Sequence, residues 1–286
     1  MFINFELIKM SILNPQQQFF ISDKKIHTVS SRACVLQPPP NHIYEVFRVI
    51  SGVPLFIEDH MQRLENSMIS AEIKYDIASI TEDIEQLMKL NQYATGNIKI
   101  VVWKSLNSLH HLLFYDKHVY PDDSMFEKGI EIGMLDRERQ DPNIKLFDST
   151  MRTDAARLIN DNAFFEVLLV TREQFITEGS RSNVFLIKND KIITPPANQV
   201  LEGVTRKHVI NLIKDLNLNF IEIPVHLDEL NDMESVFLTG TSRRVLPVHT
   251  ISPNTKKFNT NHPYIRLLQK EFIKRCEQYI NLKKPI

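Results

Sequence analysis

Gly179, Gly203 and Gly240 belong to a set of only 7 glycines in 286 residues, and each is followed within two residues by Ser or Thr. In LEGVTRKHVINLI, Gly203 stands directly before a helical pattern. The first N–H groups of such a helix, at Val204 and Thr205, lack helical partners and, with the helix dipole, favour an anion. In FLTGTSRRVLPV, Gly240 lets the chain turn and leaves Thr239, Thr241 and Ser242 as hydroxyl donors at a strand end. Two such sites can hold one phosphate. Each motif alone is the ordinary chemistry of turns and caps, and the combination is what points to a ligand. In FITEGSRSNVF, Glu178 precedes the third glycine between two apolar flanks, which sets a carboxylate at a strand end.

Other chemistries lack their signatures. No GxGxxG or GxxxxGK[ST] supports a nucleotide site, and no GxSxG marks a nucleophile elbow. The 10 histidines are scattered without metal spacing, so no catalytic metal is expected. A formal net charge of -1 offers no basic field for nucleic acid. Cys34 and Cys276, near opposite ends, read as free thiols of a reducing cytosol. The start MFINFELIKMSILNPQQQ lacks the layout of a secretory signal, and no apolar run approaches the ~20 residues that cross a bilayer, so a cytoplasmic protein is expected. What is left is a phosphate site without a nucleotide fingerprint and a carboxylate at a strand end. A pyridoxal phosphate enzyme needs both, together with a lysine to carry the cofactor.

The elements that must position these residues fall into two successive α+β units. YEVFRVI, the turn SG and VPLF read as a hairpin. EDHMQRLENSMISAEI has helical spacing, with Met61, Leu64 and Met68 on one side. ITEDIEQLMKLNQY reads as a second helix, opened by a Thr81 cap, and NIKIVVW and HLLFY read as strands. The connection YPDD closes an N-terminal domain, residues 1–120. Residues 121–286 form the larger domain: strand GIEIGML, charged loop DRERQDPN, helix STMRTDAARLIND, strands FFEVLLV, FIT, NVFLI and KIIT, helix VTRKHVINLIKDLN, strand SVFLTGT and a closing helix YIRLLQKEFIKRCEQYI.

From Glu166 to Val248 the ordered series EVLLV, ITEGSRSNVFLI, ITPP, VLEGVTR, EIP, FLTGT and VLPV resembles the fold type IV pyridoxal phosphate enzymes, or class IV aminotransferases. These include branched-chain aminotransferases, D-amino acid aminotransferases and 4-amino-4-deoxychorismate lyases. YEVFRVISG and, eight residues after Gly52, the HxxRL element HMQRL extend the resemblance over nearly the whole chain. It implies a two-domain α+β fold of the D-amino acid aminotransferase type, pyridoxal 5'-phosphate as cofactor and a homodimer. The family's Schiff-base lysine lies 21 positions before the glutamate of E-x-L-L-V, which selects Lys145. By the same resemblance Glu178 pairs with the pyridine nitrogen, Arg63 binds the phosphate, Val204 and Thr205 offer it backbone N–H groups and Thr241 its hydroxyl. Gly179 would let the backbone pass close to the cofactor, and Asn183 would start the supporting strand.

The substrate side departs from the family pattern. PPPNHIYE replaces the frequent GDG, and VVWK ends in Lys104 where relatives often carry the arginine of TRG. Tyr44, Lys104 and Ser242 are the residues expected to meet substrate, with Arg181, Arg243 and Arg244 as further cations for its carboxylate. The resemblance implies amino transfer between an amino acid and a 2-oxo acid. Lys145 would be displaced by the amino substrate and then shuttle a proton at the α-carbon. The alternative is pyruvate elimination from aminodeoxychorismate. The pair Tyr44-Glu45 follows the aminotransferase form of its strand, where lyases tend to place a small hydroxyl residue after the aromatic. A cofactor-binding protein without turnover would not be expected to retain both Lys145 and Glu178.

Overall fold

A computed structural model describes residues 17–30, 38–74, 76–105 and 108–284; Cys34 and the first 16 residues lie outside the described residues. The chain divides into two compact units, one of residues 1–119 with 144–148 and 278–286, the other of residues 120–143 with 149–277.

In the first unit, strands β1 (Phe19–Ser22), β2 (Lys25–Thr28), β3 (Ile43–Ile50) and β4 (Val53–Pro54) precede helices α1 (Ile57–Ser70) and α2 (Ile77–Leu90) and strands β5 (Gly96–Ser105) and β6 (Ser108–Asp116). They form an antiparallel sheet in the order β2-β1-β6-β5-β3-β4. Alternation along β3 and β5 gives the sheet two faces. Ile43, Phe47, Ile98, Ile100 and Val102 enter the core with Met61, Leu64 and Met68 of α1 and Ile80, Ile84 and Leu87 of α2. Tyr44, Val101 and Trp103 lie on the other face with Phe20, Leu112, Phe114 and Phe147.

The expected α1 stripe of Met61, Leu64 and Met68 is present. The expected Thr81 cap is not. α2 begins one turn earlier, capped by Asp76, whose side chain accepts from the Ala78 N–H at 3.0 Å, while Thr81 sits inside the helix and donates back to the Ile77 carbonyl at 3.1 Å. A hydroxyl in a helix interior bonds the preceding turn, so Thr81 gives the same local signal for a different position. The β1–β2 hairpin gave no turn signal in the sequence, because its turn residues Asp23 and Lys24 take φ of 50° and 64° without a glycine.

The second unit runs α3 (Asp123–Lys128), β7 (Ile130–Asp136), α4 (Ser149–Asn162), β8 (Glu166–Val170), β9 (Phe175–Gly179), β10 (Asn183–Lys188), β11 (Lys191–Thr194), α5 (Val204–Asp215), β12 (Phe220–Glu222), β13 (Val225–His226), β14 (Ser235–Gly240), β15 (Arg244–Ile251) and α6 (Pro263–Lys283), with α6 counted here up to residue 277. Its sheet has the order β12-β11-β10-β14-β15-β7-β8-β9-β13. The pairs β7–β8, β7–β15 and β11–β12 are parallel and the others antiparallel, a mixed sheet suited to the α+β class. β9 and β10 are separated in this order by β14, β15, β7 and β8, yet only residues 180–182 connect them. The sheet must therefore curl until these two strands approach. That curl gathers the start of β8, the end of β9 and the start of β10 around one short turn.

Candidate active site

The turn after β9 is built on a buried acid. Glu166, the first residue of β8, has no exposed surface. Its carboxylate accepts from the hydroxyls of Ser180 (2.5 Å) and Ser182 (3.1 Å), the N–H of Arg181 (3.2 Å) and of Val167 (3.0 Å), and pairs with Arg243 at 2.8 Å. Burial alone would push this carboxyl up. The Arg243 cation and the Ser180 hydroxyl, with the Val167 N–H and the Arg181 charge, outweigh it and hold Glu166 below the usual carboxylate range. Glycine is required at 179 for a local reason: a Cβ there would lie 2.1 Å from the Ser182 hydroxyl.

Glu178, at the end of β9, is buried. One carboxylate oxygen accepts from Arg139 Nε at 2.8 Å; the other accepts from Asn183 Nδ2 at 3.3 Å and the Leu201 N–H at 3.2 Å. Asn183 also donates to the Leu201 carbonyl at 2.8 Å. Its Oδ1 stands 2.1 Å from where a Cβ on residue 203 would be, so only glycine lets the turn into α5 come this close. Asn183 thus ties the Glu178 carboxylate to the N-terminus of α5. That N-terminus, with Gly203 as its cap residue, receives no side-chain capping bond. Val204 and Thr205 are buried beside it. On β14 the Thr239 hydroxyl is buried without a hydrogen-bond partner, and Asn183 is its partner in the strand register. Uncapped N–H groups and an unpartnered hydroxyl fit an anion such as a phosphate. Beyond Gly240, Thr241 is half-buried and Ser242 buried. The positive φ of this turn falls on Arg244 (53°) and not on Gly240, so the glycine is not what bends the chain.

In the first unit a second buried acid is at the centre. Glu45 points from β3 into the helix-covered face and has no exposed surface. It accepts from Arg63 Nε (2.9 Å) and Nη2 (2.6 Å) and contacts His60 Nδ1 at 3.1 Å. Burial would raise the Glu45 carboxyl; the charges of Arg63 and Lys145 and the His60 contact reverse this and hold it far below the ordinary range. Burial pushes His60 below its usual value despite that acid. Ser67, one turn beyond Arg63 on α1, accepts from the Lys145 N–H at 3.1 Å. The Lys145 carbonyl accepts from the Tyr44 N–H at 3.1 Å, and residues 146 and 43 form an antiparallel bridge. Lys145 therefore lies beside the start of β3, held by this single bridge, with Nζ 4.8 Å from the centre of the Tyr44 ring.

Among the expected residues, the structure groups Lys145, Arg63 and Tyr44 in the first unit, and Glu178, Val204, Thr205, Thr241 and Ser242 in the second. Lys104 is exposed near the end of β5. Arg243 is bonded to Glu166, Arg181 is exposed, and Arg244 stacks 4.3 Å over the Phe126 ring. Glu45, His60, Arg139 and the bridging use of Asn183 escaped the sequence reading, since a partner many residues away leaves no local spacing to read. Among the described residues no group of three His, Cys, Asp or Glu side chains could hold a metal, and no helix is long and apolar enough to cross a membrane.

The mixed-sheet α+β fold of this chain matches that of class IV aminotransferase structures. The chain belongs to the amino-transferase class IV family, whose model matches residues 42–251. It is 26% identical over 245 residues to a probable branched-chain-amino-acid aminotransferase of Rickettsia bellii, covering 80% of this chain and 85% of that one. It is 26% identical over 226 residues to the D-alanine aminotransferase of Bacillus licheniformis, covering 74% and 80%. The T.th. branched-chain amino acid aminotransferase, solved with pyridoxamine 5'-phosphate, superposes with a TM-score of 0.81 at 19% identity, covering 94% of this chain and 98% of that one.

Proposed function

We propose that this protein transfers an amino group between an amino acid and a 2-oxo acid, using pyridoxal 5'-phosphate carried on Lys145 as a Schiff base. Class IV aminotransferases use this cofactor. The observation that carries the reading is the bonding of Glu178 through Asn183 to the uncapped N-terminus of α5. A carboxylate for a ring nitrogen and N–H donors for a phosphate are thereby held at a fixed mutual spacing.

When bound, the cofactor supplies an electron sink for the pair left on the substrate α-carbon. Glu178 would hold the proton of the ring nitrogen, with Arg139 and Asn183 fixing its orientation. The N–H groups of Val204 and Thr205, the Thr241 hydroxyl and Arg63 would hold the phosphate. Glu45 takes the Nε edge of the Arg63 fork, which fixes the orientation of that guanidinium. Lys145 Nζ would take the α-proton and return it on the other side of the transfer. Tyr44 and Ser242 would face the substrate; Lys104, the third residue expected there, is exposed and alternates to the other face of the sheet from Tyr44. The same reading makes the protein a cytoplasmic homodimer, which sedimentation would check.

The test is chemical. The purified protein should be yellow, and borohydride reduction followed by peptide mapping should find the cofactor on Lys145; label on another lysine overturns the assignment. A panel of L- and D-amino acids with 2-oxoglutarate or pyruvate should then reveal amino transfer. Release of pyruvate from aminodeoxychorismate, with no transfer from any amino acid, would instead establish the lyase.

A further inference from the structure

Arg206 stands in the first turn of α5, directly after Thr205, and its side chain is only 4% exposed. Lys207 makes the first helical bond, donating to the Gly203 carbonyl at 2.9 Å, so the N–H groups of Val204, Thr205 and Arg206 lie ahead of it. The Arg206 guanidinium is tied to the sheet. Its Nη2 donates to the Pro195 carbonyl at 3.0 Å and to Glu222 Oε2 at 3.0 Å. Pro195 follows β11, and Glu222 ends β12, the parallel neighbour of β11, with Thr194 and Glu222 paired in the register. One side chain thus fastens the first turn of α5 to the ends of two adjacent strands, while Asn183 fastens the segment before that turn through the Leu201 carbonyl.

A cation is the unfavourable choice at this end of a helix. The dipole is positive there, and basic side chains are favoured in the last turn instead. Arg206 nevertheless buries a guanidinium in the first turn, and its Nε has no hydrogen-bond partner among the described residues. Its ion-pair partner Glu222 is 34% exposed, so water screens that pair. The guanidinium and the helix dipole therefore add at one place, and an anion bound there offsets both. A phosphate ester supplies that anion; the hydroxymethyl group of the dephosphorylated compound does not.

We infer that Arg206 is a positioning residue for the cofactor phosphate: it locks the first turn of α5 to β11 and β12 and adds positive charge to the turn that offers the N–H groups of Val204 and Thr205. The inference rests on the reading of that turn as the phosphate site. Arg206 acts through the turn and not by touching the phosphate.

The test is binding to the full chain stripped of cofactor. Pyridoxal 5'-phosphate is compared with pyridoxal, which offers Lys145 the same aldehyde and has no phosphate. Arg206→Met should lower the affinity for the first relative to the second about ten-fold, the size of one partly buried helix-terminus interaction. Arg206→Lys should recover part of that ratio. Glu222→Gln removes the counter-charge and keeps an acceptor for Nη2, so there the ratio should rise. A residue that only stabilises the fold would shift the thermal melt and leave the ratio alone. An unchanged ratio in folded Arg206→Met overturns this inference by itself. Should that variant not fold, Glu222→Gln decides, and a ratio that does not rise overturns the inference. No binding of either compound by the unsubstituted protein overturns the functional reading and this inference with it.

Discussion

Glu45 and Arg63 meet edge to edge, with Oε2 2.9 Å from Nε and Oε1 2.6 Å from Nη2, the acid fully buried in the helix-covered face of the first sheet. One strand and one helix are thereby fixed to each other at the residue proposed to bind phosphate. Glu45→Gln would leave the guanidinium in the same place without its counter-charge. Breaking such a pair costs about 3–5 kcal/mol. Urea unfolding should show that loss, and cofactor titration should show weaker binding. Stability and affinity equal to the unsubstituted protein would remove Glu45 from both roles.

Glu166 and Glu45 should set the acid limit of the fold. Both carboxyls are held below their usual range in the folded protein. A depressed folded value gives stability that is present above the unfolded value, near 4.3, and is lost as pH falls toward the folded one. The urea midpoint should therefore drop from about pH 5 downward, and Glu166→Gln should flatten that drop while lowering the plateau at pH 7. A variant with the full acid slope would place the proton uptake elsewhere.

Gly203→Ala should act through Asn183. The added Cβ would stand 2.1 Å from Asn183 Oδ1, forcing away the side chain that holds Glu178 and Leu201. Overpacking of this kind costs about 1–3 kcal/mol. The cost should shrink in the background of Asn183→Ala, where the clash is absent, and a double-mutant cycle reads the difference. Strict additivity of the two changes would show that the side chains do not meet.

His42 should remain a neutral imidazole well below the pH at which surface histidines protonate. Burial lowers its pKa to about 4, and its Nδ1 lies 2.7 Å from the Pro39 carbonyl. Because the unfolded chain takes up this proton near pH 6.5, the resistance of the folded state costs stability as pH falls from there toward 4. Two-dimensional NMR of the imidazole should give a midpoint near 4, and one near 6.5 would mean the ring is solvated.

The chain's local signals carried much of the architecture. Apolar periodicity marked α1, and the glycine before VTRKHVINLI marked the start of α5, because both depend on residues within a turn or two of one another. The ordered motifs from Glu166 to Val248 placed the chain in its family, since order and spacing survive where identity is only 26%. Local reading failed at Thr81, where one hydroxyl satisfied two descriptions, and at Asp23 and Lys24, where a tight turn forms without glycine.

By itself the sequence determined which residue types are available and marked most of the helices and strands, because these signals lie between neighbours along the chain. Only the tertiary structure decided which charges meet. Glu166 pairs with Arg243, Glu178 with Arg139 and Glu45 with Arg63 across separations that no spacing rule spans. Each pair exists because a carboxylate and a cation buried together must satisfy one another. Where burial brings them together is a property of how the sheets and helices pack.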